Sequence, residues 1–193
     1  DLLKLLEFIN PRSQLIIVRS SADVEDSQNK SYAGLFKSLK SNVSITDLVD
    51  TICKCWESLW LIEPSSYQSE RSDNAIELNL LIQEYLSCDY GGVLFTKHPL
   101  NKDSDQYLIE MSINGAEGVV NGEGTILQMT TTSKGNVVKD LTEKPPFLLD
   151  DKSIKQLCEY ASIIKTIFND DQDIEWISSN GIIYILQARN ITT

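Results

Sequence analysis

Toward the C-terminus, Asp173, Glu175, Gln187 and Arg189 stand in two short apolar runs separated by Asn180-Gly181. A carboxylate and an amide oxygen on neighbouring strands suit Mg2+, a hard ion that takes a few protein oxygens and completes its octahedron with phosphate and water. An arginine two residues further on can fork onto the same phosphates. The competing interpretation is a solvated polar face with a surface Arg–Glu pair, worth about 0–1 kcal/mol. These residues by themselves leave both interpretations open.

Whether the four side chains can act together depends on register. Asn-Gly between apolar runs predicts a hairpin, and the side-chain period of two lets loop length decide which face each residue takes. A two-residue loop would set Asp173, Glu175 and Ile177 with Ile182, Tyr184, Leu186 and Ala188, leaving both faces mixed. A three-residue loop with Gly181 left-handed instead gathers Ile174, Trp176, Ile182, Tyr184, Leu186 and Ala188 on one apolar face. Asp173, Glu175, Gln187 and Arg189 then share the other, with Ile177, Ile183 and Ile185 nearer the turn. A sheet buried on one side requires such sorting, so the pattern predicts the three-residue loop. A bulge within either strand would change this parity.

The remaining elements are read from periodicity. Residues 1–8 predict a short helix cut by Asn10-Pro11, and Leu15 to Val18 a buried strand that ends on Arg19. A cation closing four apolar residues normally has a partner, which is either a phosphate or one of Glu25 and Asp26. Residues 23–40 are polar and predict a functional or mobile loop. Ser44 and Asp47 read as a capping box, ahead of Ile45, Leu48, Ile52, Trp56 and Leu59 at helical spacing until Pro64. Trp56 and Trp60 belong to that helix's core face in this reading. Ile76 to Ile82 predict a strand running into Gln83, Glu84 and Tyr85. Gly91-Gly92 predicts a turn before the strand Val93 to Thr96. Tyr107 to Met111 is a further strand. Gly115, Gly118, Gly122 and Gly124 interrupt the next stretch, ahead of short strands near Ile126 and Val137. Ile154, Leu157, Ala161, Ile164 and Phe168 mark a second helix, capped at Asp150 or Asp151. Strands and helices without a regular βαβ rhythm favour an α+β fold.

Composition narrows the function. The 193 residues carry 17 basic and 28 acidic side chains, net −11, with no basic stripe; a nucleic-acid partner is therefore not expected. No apolar run reaches the ~20 residues of a membrane span, and no signal-peptide pattern opens the chain. The start at Asp1 rather than Met suggests an excision point. Cys53, Cys55, Cys88 and Cys158 lack metal spacing, and buried reduced thiols in a cytosolic protein are expected. His98, between Lys97 and Pro99, reads as a plain loop histidine.

Five motifs, taken in order, carry a resemblance. They are Val18-Arg19-Ser20-Ser21-Ala22 with Glu25-Asp26 and Tyr32-Ala33-Gly34; Ile82-Gln83-Glu84; Gly92 to Thr96 with Pro99; Asp173-Ile174-Glu175-Trp176; and Ile185-Leu186-Gln187-Ala188-Arg189. Together they resemble the ATP-grasp domain of the phosphoenolpyruvate synthase, pyruvate phosphate dikinase and rifampin phosphotransferase family. The resemblance implies an α+β, ATP-grasp-like fold with a mixed, largely antiparallel sheet, flanking helices and two lobes around a nucleotide cleft. Residues 1–82 would form the remainder of the N-terminal lobe, with a helix over 45–62, and 83–193 the C-terminal lobe. Arg19 would contact ATP phosphates. Gly34 and Ser38 would lie in the loop over them, Ser38 standing where the family usually has Thr. Gln83, Glu84 and Tyr85 would lie beside adenine. Glu175 and Gln187 would hold Mg2+, and Arg189 would stabilise the transferring phosphoryl group. The implied partners are a phosphohistidine domain and an acceptor-binding domain, in the same or a separate chain.

There are departures from the family's pattern. The family begins upstream with a Gly-rich segment and a phosphate-binding lysine, which nothing ahead of Arg19 matches. Asn190 replaces the usual Pro, Ser112 to Gly118 follows a Gly-Leu-Gly-Glu stretch only loosely, and no phosphohistidine motif is present. The implied function is the Mg-ATP module of a phosphotransferase, incomplete on its own. The alternative is a degenerate member that binds nucleotide or a protein partner without catalysis.

Overall fold

The computed structural model describes residues 2–22, 38–58, 78–99, 105–122, 125–140 and 149–191. Gly34, with residues 23–37 of the expected loop 23–40, Leu59, Trp60 and the strand start at Ile76 fall outside them, while residues 38–40 of that expected loop belong to a strand instead. The chain divides into two compact units, Asp1–Leu86 and Ser87–Thr193.

In the first unit, α1 (Leu2–Ile9) precedes β1 (Leu15–Ala22), β2 (Ser38–Asn42), α2 (Ile45–Glu57) and β3 (Leu78–Glu84). The three strands form an antiparallel sheet in the order β2-β1-β3. Alternation sends Ile16 and Val18 into a small core with Leu48, Ile52 and Cys55 of α2, flanked by Leu39, Leu80 and Ile82. The Ser44 hydroxyl caps α2 by accepting from the Asp47 amide at 3.1 Å. The Asp47 carboxylate turns instead to the Asn42 side-chain amide at 2.9 Å.

Trp56 departs from its expected place: it is exposed, and Cys55 occupies the inner position. Leu48, Thr51, Ile52 and Cys55, at i, i+3, i+4 and i+7, make the buried stripe, and a core of five buried side chains leaves no room for an indole at i+8. Strand β3 runs through Glu84, and the Tyr85 amide donates to the Leu15 carbonyl at 3.1 Å, so these residues belong with β1.

The second unit is a six-stranded sheet in the order β7-β6-β5-β4-β8-β9, antiparallel at every described pairing. Its strands are β4 (Tyr90–Phe95), β5 (Gln106–Ser112), β6 (Leu127–Thr132), β7 (Val137–Asp140), β8 (Gln172–Ser179) and β9 (Ile182–Asn190). Two helices join them, α3 (Gly115–Asn121) and α4 (Asp151–Phe168). The core lies between one sheet face and α4: Leu94, Ile109, Met111, Leu157, Ala161, Ile174 and Trp176 are all sealed from solvent. Asp150 caps α4, its Oδ1 accepting from the Ser153 amide at 2.7 Å.

Two glycine readings are corrected. Gly91 and Gly92 lie within β4, buried between β5 and β8, and do not form a turn. A Cβ at Gly91 would stand 2.5 Å from the Trp176 carbonyl oxygen, and one at Gly92 would overlap that of Glu110. Glycine serves here for close backbone approach. Likewise Gly115 to Asn121 form a short helix rather than an interruption, closed by left-handed Gly122.

Candidate functional site

The terminal hairpin turns on two residues, not three. Ser179 pairs with Ile182, and Asn180 (φ 52°) with Gly181 (φ 74°) makes a primed turn. Taken alone, that loop would put Glu175 and Gln187 on opposite faces. A bulge restores the pairing: Trp176 stands opposite Ile185 and Glu175 opposite Gln187, so Leu186 is the extra residue in β9. Beyond it Ile174 pairs with Ala188 and Asp173 with Arg189. The inner face near the turn is therefore Ile183 and Ile185 rather than Ile182, Tyr184 and Leu186. The expected polar set shares the outer face by a different route from the one expected.

On that face Arg189 is held by Asp173. Its Nε and Nη2 both donate to Asp173 Oδ2 at 2.8 Å, with the two side chains 27% and 12% exposed. Asp173 Oδ1 is buried and accepts no hydrogen bond among the described residues. Sequence reasoning placed Asp173 in the cluster but gave it no role. Its position opposite Arg189 was the available signal.

The row continues across the sheet. Glu175 pairs with Val93, Val93 with Glu110, and Glu110 with Gln128. Cross-strand partners share a face, so Gln187, Glu175, Val93, Glu110 and Gln128 form one line. The Gln128 Nε2 donates to Glu110 Oε1. Sequence reasoning missed Glu110, a lone acid in an otherwise apolar strand. The donors on this row are uncharged or anionic oxygens, which fit Mg2+ rather than a softer metal. Asp173 Oδ1 adds an acceptor without a partner one step along.

In the first unit, Arg19 pairs with Ser38 on one side and Leu81 on the other, and Ile17 pairs with Lys40 and Gln83. Ile16 and Val18 point to α2, so Arg19, Ser38, Lys40 and Gln83 share the opposite face. Glu84 pairs with Ile16 and so lies on the α2 side. Its Oε1 accepts from the Arg12 amide at 2.6 Å and the Ser13 amide at 3.2 Å, fixing the segment that enters β1. The Tyr85 carbonyl accepts from the Ser13 hydroxyl at 3.1 Å.

A concavity of about 800 Å³ lies on the α4 side of the six-stranded sheet, lined by Lys97, Asp105, Tyr107, Ser162, Lys165 and Asp171 among others. Lys165 is tied to Asp171 at 2.6 Å, and this hydrogen bond, then the attraction of the carboxylate, pushes the lysine above its ordinary range. Among the described residues no group of three or more His, Cys, Asp and Glu side chains could hold a metal by itself. No described helix is long and apolar enough to cross a membrane. Cys55 and Cys158 are buried, but Cys53 is exposed and Cys88 half-buried, against the expectation of four buried thiols.

An α+β chain of this kind, with antiparallel sheets flanked by helices, falls in the class of nucleotide-binding domains. The particular family emerges from comparison: residues 3–139 and 123–193 match the model of the pyruvate phosphate dikinase AMP/ATP-binding domain. The chain belongs to that family, the nucleotide-binding domain of phosphoenolpyruvate synthase and pyruvate phosphate dikinase. It is 31% identical, over 92% of its length, to a probable phosphoenolpyruvate synthase of Methanothermobacter thermautotrophicus. Over 92% of its length it is also 26% identical to the phosphoenolpyruvate synthase of Pyrococcus furiosus and to the prodigiosin synthesizing transferase PigC of Serratia marcescens. The chain spans 30%, 26% and 23% of those three proteins.

Proposed function

We propose that the chain is the Mg-ATP-binding module of a cytoplasmic, dikinase-type phosphotransferase. It prepares an ATP phosphoryl group for transfer to a histidine on a separate domain, and from there to pyruvate, water or another small acceptor. The observation that carries the reading is the opposition of Glu175 and Gln187, with the Arg189–Asp173 pair next on the same face.

In this reading Glu175 and Gln187 supply oxygens to Mg2+, whose charge offsets that of the phosphates. Arg189, its guanidinium plane fixed by Asp173, presents its remaining N–H donors to a phosphoryl oxygen without having to reorganise. Arg19 and Ser38 take further phosphate oxygens, joined by Gly34. Gln83, Glu84 and Tyr85 lie beside the base, where Glu84 acts by fixing the backbone, since its carboxylate is engaged by two amides. Catalysis rests on positioning and charge neutralisation, with no covalent step on this chain. The phosphoenolpyruvate synthases among the relatives support the reading.

Isothermal titration of the chain with ATP, with and without Mg2+, tests it. Saturable binding strengthened by Mg2+ is expected. Absence of binding in both conditions would defeat it.

A further inference from the structure

The face of the three-stranded sheet turned away from α2 holds a cation that belongs to none of the five motifs. Lys40 lies on β2 in the row Lys40–Ile17–Gln83, one row from Ser38–Arg19–Leu81. Its Nζ sits 4.4 Å from the centroid of the Tyr85 ring. A cation over an aromatic face is held there by the ring quadrupole, which fixes an otherwise flexible ammonium.

The charge on this face is unusual for the molecule. The chain has a net charge of −11. Yet Ser38, Lys40, Ile17, Arg19, Ser21, Leu81 and Gln83, which alternate away from α2, include two cations and no carboxylate. Glu84, the acid of β3, points to the other side. Leu81 is 51% exposed, leaving an apolar spot between the polar groups. Cations around an apolar, aromatic-edged surface suit an anion that carries a flat base.

Resting on the nucleotide reading, we propose that Lys40, braced on Tyr85, is a further nucleotide-binding residue that takes the α-phosphate. The row spacing selects that phosphate. Rows two residues apart along a strand lie roughly 7 Å from each other. Arg19 occupies the row away from Tyr85, while Lys40 shares its row with Gln83, the base-side residue. The phosphate nearest the base is the α-phosphate, common to AMP, ADP and ATP. Lysine offers three donors and no acceptor, so it binds this oxyanion as a point charge.

The test is equilibrium binding of AMP and of ATP to the whole chain and to Lys40→Met, Lys40→Arg and Tyr85→Leu, with circular dichroism as the folding control. Lys40→Met should weaken AMP and ATP by the same factor, about tenfold, as expected for one charge-assisted hydrogen bond. Lys40→Arg should stay within about threefold of wild type, and Tyr85→Leu should weaken both nucleotides about threefold through loss of the ring. A Lys40→Met protein that binds AMP as wild type does would overturn the assignment, as would a loss seen with ATP but not AMP. A wild-type chain that binds neither nucleotide would instead defeat the nucleotide reading itself, and this inference with it.

Discussion

Replacing Asp173 by Asn tests whether Arg189 is anchored as the geometry indicates. The substitution keeps the shape of the side chain and removes its charge. Two hydrogen bonds of 2.8 Å converge on one carboxylate oxygen, and the pair is largely but not wholly shielded, at 12% and 27% exposure. Each charge-assisted bond contributes about 1.5–3 kcal/mol. The Asn oxygen still accepts one of them weakly, and water reaches the guanidinium, so the net cost should be about 2 kcal/mol. With a urea slope of about 2 kcal/mol per molar, the midpoint falls by about 1 M. The fluorescence of Trp176, fully buried three residues away, reports the transition. A double-mutant cycle with Arg189→Met should return a coupling energy near ~2 kcal/mol. A coupling below about 0.5 kcal/mol would refute the anchoring, because it would mean that the pair behaves as an ordinary surface ion pair.

Other consequences rest on single contacts. Gly92→Ala should destabilise the second unit by about 3 kcal/mol, the upper end for overpacking, because the obstructing atoms are β5 backbone; urea unfolding checks this. At Asp150, hydrogen bonds from Ser153, the hydroxyl first and then the amide, hold the carboxyl below its ordinary range. The stabilisation is therefore complete above the usual aspartate range and lost as pH falls through the lowered value. Asp150→Asn should flatten the acid limb of a melting-temperature profile, and an unchanged limb would contradict the cap. Among the thiols, exposed Cys53 should react first with a disulfide reagent. Cys158, whose thiol burial pushes upward, should react only on unfolding.

Much of the fold was legible because periodicity and caps are local. The α2 and α4 caps, the buried stripe Leu48–Ile52 and the alternation of β3 come from spacing and residue type alone. What was not legible depended on neighbours distant in the chain. A glycine pair reads equally as a turn or as a close approach, and only β5 and β8 decide for Gly91 and Gly92. The extra residue at Leu186 is invisible to a period-two reading, since loop length and bulge compensate each other. Sorting of polar from apolar residues still gave the outer face correctly for Asp173, Glu175, Gln187 and Arg189, because burial constrains the final parity and not the route to it. For Glu84 the motif suggested a ligand-side residue but not the contacts its carboxylate makes with the Arg12 and Ser13 amides, which lie some seventy residues earlier in the chain.

The most direct test of the proposed metal–phosphate wall is the ratio of ATP affinities with and without Mg2+, measured by isothermal titration for wild type, Glu175→Gln and Gln187→Leu. If Glu175 and Gln187 hold the ion, the ratio should fall toward one in both variants while metal-free ATP affinity stays near wild type. If Mg2+ strengthens ATP binding equally in all three proteins, the ion lies elsewhere and the wall formed by β8 and β9 is not its site.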